Sequence, residues 1–420
     1  MNEPIERRIY TDKIKDFIDK EPVKIITGIR RCGKSEILKL IKQESLKHTD
    51  EEHIIFINFE DSKFDDIVSY KELNKYVADR MKDNGRYYIF LDEIQAVDKW
   101  EKAVNSMRLK NTDIYVTGSN SKLLSGELAT LLAGRYVAFE VSTLSFAEFI
   151  HFRRVCDLVH GTDHDGNKYQ DISNDELDNY IGIGGFPLLS TAGFTPDQAR
   201  LIVSDIHSSA VLKDVVARNK IKNVPLLERI IAFIYDNIGN LVSMRKIADF
   251  LKGNGGGADL ETISSYVGYL EGACIIKKVS RYDLKGKRLL ESNDKYYLSE
   301  HSLQYAVRDM KRTNLPGILE NIVYNELVRR EYRVYVGKMS KDDNREIDFV
   351  AEKINGGERV YVQVCTEFSS KETLDREFAP LTDIKDHYPK YVVTLDKYWK
   401  EDRNGAAGIH LKDFLLKDSY

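Results

Sequence analysis

Residues 23–28 read Val-Lys-Ile-Ile-Thr-Gly and the chain continues Ile29-Arg-Arg-Cys-Gly-Lys-Ser35, so an apolar run feeds a Gly-x-x-x-x-Gly-Lys-Ser loop. Val23–Thr27 is apolar except at Lys24, which suits a buried strand. Ile37, Leu38, Leu40 and Ile41 then recur at helical spacing. In a strand–loop–helix context this pattern turns backbone N–H groups inward around an anion, and Gly28 and Gly33 supply conformations that a Cβ obstructs. Lys34 is placed to reach the β/γ-phosphates of a nucleoside triphosphate, and the Ser35 hydroxyl to ligate Mg²⁺. Arg30, Arg31, Cys32 and Glu36 complete the expected ATP-contacting segment. A phosphate cradle does not require two charges at Arg30 and Arg31; they face a partner, a neighbouring subunit or water.

At 420 residues the chain is too long for one ordinary core, and two or three domains are expected. A hydrophobic fraction of 42% with 31% charged residues describes a soluble globular protein. The formal net charge of −4 means that any nucleic-acid contact must come from local basic patches. No apolar run reaches membrane-spanning length, and the start lacks the apolar core of a signal peptide, so a cytoplasmic location is expected. Cys32, Cys156, Cys274 and Cys365 lie far apart, against both a zinc site and a disulfide framework and in favour of buried reduced thiols.

Four further strand-like runs follow the loop helix, at His53–Phe59, Tyr87–Leu91, Asp113–Thr117 and Tyr136–Val141. Alternation with helical stretches predicts a parallel sheet covered on both faces. The third run puts Asp92 and Glu93 at the carboxyl edge of a buried strand, where ligands of such sheets gather. Asp92 is expected to hold Mg²⁺, and Glu93 to polarise the attacking water. Thr117, Ser119 or Asn120 at the end of the fourth run would sense the γ-phosphate and orient water, or Ser119 and Asn120 simply cap a helix. Arg135 ends a helical stretch immediately before the fifth strand. It is either a surface residue or a cation supplied to a neighbouring subunit's nucleotide.

Gly28 to Ser35, Leu91-Asp-Glu-Ile-Gln with Trp100, Thr117-Gly-Ser-Asn, Gly134-Arg-Tyr and Leu144-Ser-Phe-Ala-Glu-Phe together resemble a large prokaryotic group of AAA-type ATPases. In that group the ATPase is followed by a winged helix and an uncharacterised carboxyl-terminal domain. The resemblance implies an arginine finger at Arg135, and it likens Gly184-Gly-Phe-Pro187 to the Gly-x-Pro motif of a helical lid. From the residues alone Gly184 to Pro187 is a turn.

His160 to Asn174 reads as a polar loop, and an amphipathic helix over Leu201–Ala217 leads into the next domain. Leu226 to Leu290 reads as a winged helix. Ser243 caps one helix, Asn254 to Gly257 is a loose turn, and Thr262–Leu270 is the would-be recognition helix. That last helix lacks Arg and Lys, which is poor for groove reading. The hairpin carries Lys277, Lys278, Arg281, Lys285, Lys287 and Arg288, and six neutralised phosphates would give a salt slope of about −5. The alternative is a solvated hairpin or a protein-docking surface.

The last segment, with Glu320 on a helix, Asp348 on a strand, and Gln363 and Cys365 on the next, resembles the PD-(D/E)XK restriction-endonuclease-like fold. Active members carry a second carboxylate and a lysine where this chain has Gln363 and Cys365. An amide is a weaker Mg²⁺ ligand and a thiol lacks fixed positive charge, so standard cleavage should fail. A displaced site using Glu367 and Lys371 is the alternative.

The expected fold is therefore α/β: a P-loop AAA-type core over 1–150, a helical lid and connector over 151–222, a winged helix over 223–300 and a PD-(D/E)XK-like domain over 301–420. The expected activity is Mg²⁺-dependent hydrolysis of ATP to ADP and phosphate, with Glu93, Lys34, Arg135 and Asn120 as catalytic residues and Ser35 and Asp92 as metal ligands. The expected machine is a homo-oligomer, a hexamer or similar ring, acting on DNA, with branched or junction DNA among the candidate forms, and with no membrane role. A nucleotide-dependent switch binding a protein partner is the alternative, and an ATP-gated metal-dependent nuclease a second one.

Overall fold

The computed structural model describes residues 4–120, 131–156, 172–253, 256–307, 314–339, 345–368, 370–396 and 402–420. Residues 160–171 of the polar loop expected at His160 to Asn174, Asn254 and Gly255 of the expected loose turn, and residues 121–130 of the stretch expected to be helical before Arg135 lie outside these residues. The chain divides into two compact units, Met1–Thr143 with Gly272–Cys274, and Leu144–Glu271 with Ile275–Tyr420.

The first unit is built on five strands, β1 (Val23–Thr27), β2 (Ile54–Asn58), β3 (Tyr87–Asp92), β4 (Thr112–Gly118) and β5 (Tyr136–Glu140). Each lies within a residue or so of its expected run. Their order is β2-β3-β4-β1-β5 and all pairs are parallel. Alternate side chains build two layers. Ile25, Ile55, Ile57, Ile89, Leu91, Ile114 and Val116 pack with Leu73, Val77, Trp100, Val104 and Met107 of helices Tyr70–Ala78 and Trp100–Arg108. Phe56, Phe90 and Tyr115 form a stack, the last pair 4.8 Å apart between ring centres, and helix Lys34–Ser45 lies against β3 and β4.

Lys24, the one charged residue of β1, is fully buried beside Asp113 of β4. Asp113 also accepts the Tyr115 hydroxyl at 2.9 Å and the Asp19 N–H at 2.8 Å. Burial disfavours the Lys24 ammonium, and Asp113 opposes that shift.

The second unit begins with helices Phe146–Val155, Asn174–Ile183 and Pro196–Ala210, the last continuing in π-helical form over Val211–Ala217. Helices Val224–Asp236, Met244–Gly253 and Leu260–Gly272 follow. Ser243 accepts the Lys246 N–H at 3.2 Å, as its capping role requires. Gly184-Gly-Phe-Pro187 is a turn with Gly184 at φ +90°, where a Cβ would lie 2.2 Å from Ser302 Oγ. Gly185 donates to the buried Glu300 carboxylate at 3.1 Å.

The remaining strands are β6 (Leu241–Val242), β7 (Ile276–Asp283), β8 (Arg288–Leu298), β9 (Tyr332–Lys338), β10 (Glu346–Lys353), β11 (Arg359–Val364), β12 (Lys390–Thr394), β13 (Asp402–Arg403) and β14 (Ala406–His410). They form one sheet in the order β13-β14-β12-β11-β10-β9-β7-β8-β6. The basic hairpin β7–β8 joins the carboxyl-terminal strands through parallel pairing of Arg281–Asp283 with Val336–Lys338. Helix Leu315–Arg329 lies against β8, β9, β10 and β11.

Among the described residues no helix is long and apolar enough to cross a membrane. Cys32, Cys274 and Cys365 are buried free thiols, and Cys156, the C-cap of helix Phe146–Val155, is a half-buried free thiol.

Removing one partner of a buried ion pair strands the other charge in a poorly solvating interior. Asp113→Ala should therefore cost about 3–5 kcal/mol in urea unfolding, while Lys24→Met/Asp113→Asn recovers at least half of the loss.

Candidate functional site

The loop after β1 owes its shape to two glycines. Gly28 has φ +145°, and a Cβ there would lie 2.1 Å from the Val141 carbonyl oxygen. Gly33, at φ +102°, is the N-cap of helix Lys34–Ser45 and brings no side chain to it, so the first-turn N–H groups remain directed at the loop. Arg31 is also left-handed, at φ +66°, and exposed. Arg30 is taken up by Glu60, 2.9 Å away. Cys32 is buried and its carbonyl accepts from the guanidinium of Arg7 at 2.9 Å. The same guanidinium donates to the carbonyls of Ser142 and Thr143 at 3.0 and 3.2 Å. Arg7 thus ties the loop to the segment after β5.

Lys34 Nζ lies 3.1 Å from the Gly28 carbonyl and 3.7 Å from Glu93 Oε1. Opposite it, at the carboxyl end of β3, Asp92 and Glu93 are both buried. The Thr117 hydroxyl, on β4, donates to Asp92 Oδ1 and accepts the Glu93 N–H at 2.9 Å. Glu93 has φ +55°, which turns its side chain away from the strand direction, and Gln95 Nε2 donates to its carboxylate. Burial raises the Asp92 carboxyl above its ordinary value, opposed by hydrogen bonds from Thr117 and Ser35. Ser35, Asp92, Lys34 and Glu93 are therefore gathered at one sheet edge. Residues of this kind suit a hydrated divalent cation and phosphate oxygens: a hydroxyl and a carboxylate in mutual contact, a nearby ammonium, and a loop that a Cβ would fill.

Thr117 spends its hydroxyl on the acid pair, in a place where the sequence suggests a phosphate sensor. Ser119 and Asn120 are buried at the end of β4. Glu36 is exposed and paired with Lys39. Arg135 is exposed, its carbonyl accepting the Val23 N–H. Arg7 escaped the sequence reading because its partners lie far away in sequence and the Arg7-Arg8 pair carries no spacing signal.

In the second unit Glu320, Asp348 and Gln363 come together, but Cys365 enters the apolar cluster of Ile347, Val350, Tyr361 and Phe378. Glu367 does not join them: β11 ends at Val364, and Glu367 is exposed. Of the six hairpin cations, Lys277 is half-buried, Lys278 pairs with Asp294 at 3.0 Å and Arg281 with Glu346 at 2.8 Å, while Lys285, Lys287 and Arg288 are exposed.

A family model described as an AAA domain matches residues 20–150, and one described as a domain of unknown function (DUF8612) matches residues 174–314. An uncharacterized protein of Haemophilus influenzae is 36% identical over 419 residues, covering 98% of this chain and 99% of that protein. Uncharacterized protein MJ1544 of Methanocaldococcus jannaschii is 30% identical over 378 residues, 88% of this chain and 78% of that protein. Among solved structures, the Walker-type ATPase PABY2304 of Pyrococcus abyssi shares the fold, with a TM-score of 0.50 at 14% identity over 72% of this chain and 95% of that one. With a P-loop and parallel sheet in an AAA domain over residues 20–150, and relatives matched along most of its length, the chain belongs to the same family as the uncharacterized Haemophilus influenzae and Methanocaldococcus jannaschii proteins.

Proposed function

We propose that the chain binds ATP and hydrolyses it. The observation that carries this reading is the Thr117 hydroxyl, which holds Asp92 and the backbone of Glu93 together beside Lys34. Backbone N–H groups of Gly28 to Ser35 would bind the phosphates, with Lys34 adding fixed charge. Ser35 and Asp92 would hold Mg²⁺, which neutralises phosphate charge when bound. Glu93 would accept a proton from the attacking water, its carboxylate steadied by Gln95. Asn120 would orient that water. Arg135, exposed on the core, would act on the nucleotide of a neighbouring subunit in a homo-oligomeric ring.

We read the distal segments, 151–222 as lid, 223–300 as winged helix and 301–420 as a non-cleaving nuclease-like module, as carrying DNA. The exposed Lys285, Lys287 and Arg288 on the β7–β8 turn support this. With three phosphate contacts in place of six, the salt slope would be about −3. A second reading, a switch that binds a protein partner, is favoured by the helix Leu260–Gly272, which presents no Arg or Lys.

The test is ATP turnover of the purified full-length chain. Wild type should release phosphate in Mg²⁺ and Lys34→Ala should not; equal rates would remove the ATPase reading. Linear, forked and four-way DNA at low salt should bind or raise turnover, and failure of all three leaves the protein-partner reading. Thr117→Val, isosteric but without a hydroxyl, should lower kcat by about 100-fold by misplacing the acid pair. Its ATP affinity, measured with a fluorescent analogue, should stay near wild type, and Thr117→Ser should restore most of the rate.

A further inference from the structure

A second charged cluster is buried in the unit that contains β6 to β14. Lys295, on β8, is 4% exposed, and its ammonium lies 3.1 Å from both Glu320 Oε2 and Asp348 Oδ1. Tyr297, two residues along the same strand, donates its hydroxyl to the same Glu320 oxygen at 2.8 Å. Asp348 sits where the register of β10 on β9 shifts, between Ile347 and Val350. Its second oxygen accepts the Val364 N–H at 3.0 Å, and its own N–H goes to Gln363 Oε1 at 3.2 Å. Gln363 Nε2 then donates to Glu377 at 2.9 Å, whose other oxygen receives the Arg376 guanidinium.

Two carboxylates from different elements share a buried site only when a cation lies between them or one of them takes up a proton. Burial and then the Asp348 charge push the Glu320 carboxyl up. Burial alone would discharge Lys295, but Asp348 and Glu320 outweigh it and hold the ammonium charged. A divalent cation would bridge the same two oxygens at about 2.0–2.6 Å. The ammonium does so at hydrogen-bond length, tethered by its own stem. Gln363 engages both amide atoms within the network, Oε1 with the Asp348 N–H and Nε2 with Glu377.

We propose that Lys295 is the resident cation of this cluster: its ammonium occupies the position between Glu320 and Asp348 that a divalent metal would take, so the natural chain holds the acid pair without metal. Shortening Lys295 turns the pair into a Mg²⁺- or Mn²⁺-binding site. The inference is independent of the ATPase reading, since no residue of the P-loop or of β3 enters it. It accounts for a buried lysine immediately before the Tyr-Tyr-Leu run of β8.

The experiment uses full-length wild type, Lys295→Ala, Asp348→Asn and Lys295→Ala/Asp348→Asn, with Mn²⁺ binding followed by electron paramagnetic resonance and unfolding temperature recorded with Mn²⁺ and with EDTA. Lys295→Ala should bind one more Mn²⁺ per chain than wild type, melt lower in EDTA and recover in Mn²⁺. The double variant should do neither. Mn²⁺ binding by wild type that Asp348→Asn abolishes would overturn the proposal, as would a folded Lys295→Ala chain that takes no extra ion. If Lys295→Ala fails to fold in EDTA, purification in Mn²⁺ decides. A folded chain that EDTA unfolds supports the proposal, and a chain that stays unfolded in Mn²⁺ contradicts it.

Discussion

One hydroxyl organises the nucleotide end of this chain. Thr117 donates to Asp92 and accepts from the Glu93 backbone, and it reaches both only because β4 lies beside β3 in parallel register, Phe90 opposite Tyr115 and Leu91 opposite Val116. The same strand pairs on its other side with β1, Ile26 opposite Thr117, so one central strand sets the acid pair and the phosphate loop at the same sheet edge. The buried Lys24–Asp113 pair locks β1 to β4 lower in the sheet. A buried ion pair returns little net stability over an apolar pair of the same size, but losing one partner leaves the other charge stranded.

The loop itself is held from outside. Gly28 passes so close to the Val141 carbonyl that only hydrogen fits, and the Arg7 guanidinium spans Cys32, Ser142 and Thr143. A preset loop has less conformational entropy to lose when an anion binds, which is why such rigidity belongs at a phosphate site. The two arginines within the loop have unequal surroundings: Arg30 is engaged with Glu60, whereas Arg31 stands exposed in a left-handed conformation.

Much of the core was legible because each feature is local. Strand limits follow apolar runs bounded by polar residues, and the loop chemistry is written in eight consecutive positions. Asp92 and Glu93 were found for the same reason, at the end of Tyr-Tyr-Ile-Phe-Leu. What escaped depends on contacts distant in sequence. Arg7 meets residues 25 and more than 130 positions away. Lys295 meets Glu320 and Asp348 across three segments, and nothing within β8 announces it beyond a charge amid aromatic neighbours. The hairpin cations were overcounted because Asp294 and Glu346, which neutralise Lys278 and Arg281, lie on β8 and on β10. Glu367 lies three residues beyond the end of β11, out of reach of that strand's face.

The two units solve the problem of buried acids differently, one with an acid pair poised beside a lysine at a sheet edge, the other with a lysine inserted between the acids. The first is the arrangement on which the proposed chemistry rests, and Glu93→Gln tests it most directly, because it removes the proton acceptor while leaving the loop, Lys34, Ser35 and Asp92 in place. The account predicts a chain that still binds ATP with near-wild-type affinity and holds it intact, with turnover reduced by about 100-fold or more. Turnover unchanged in Glu93→Gln, with ATP still bound, would contradict it.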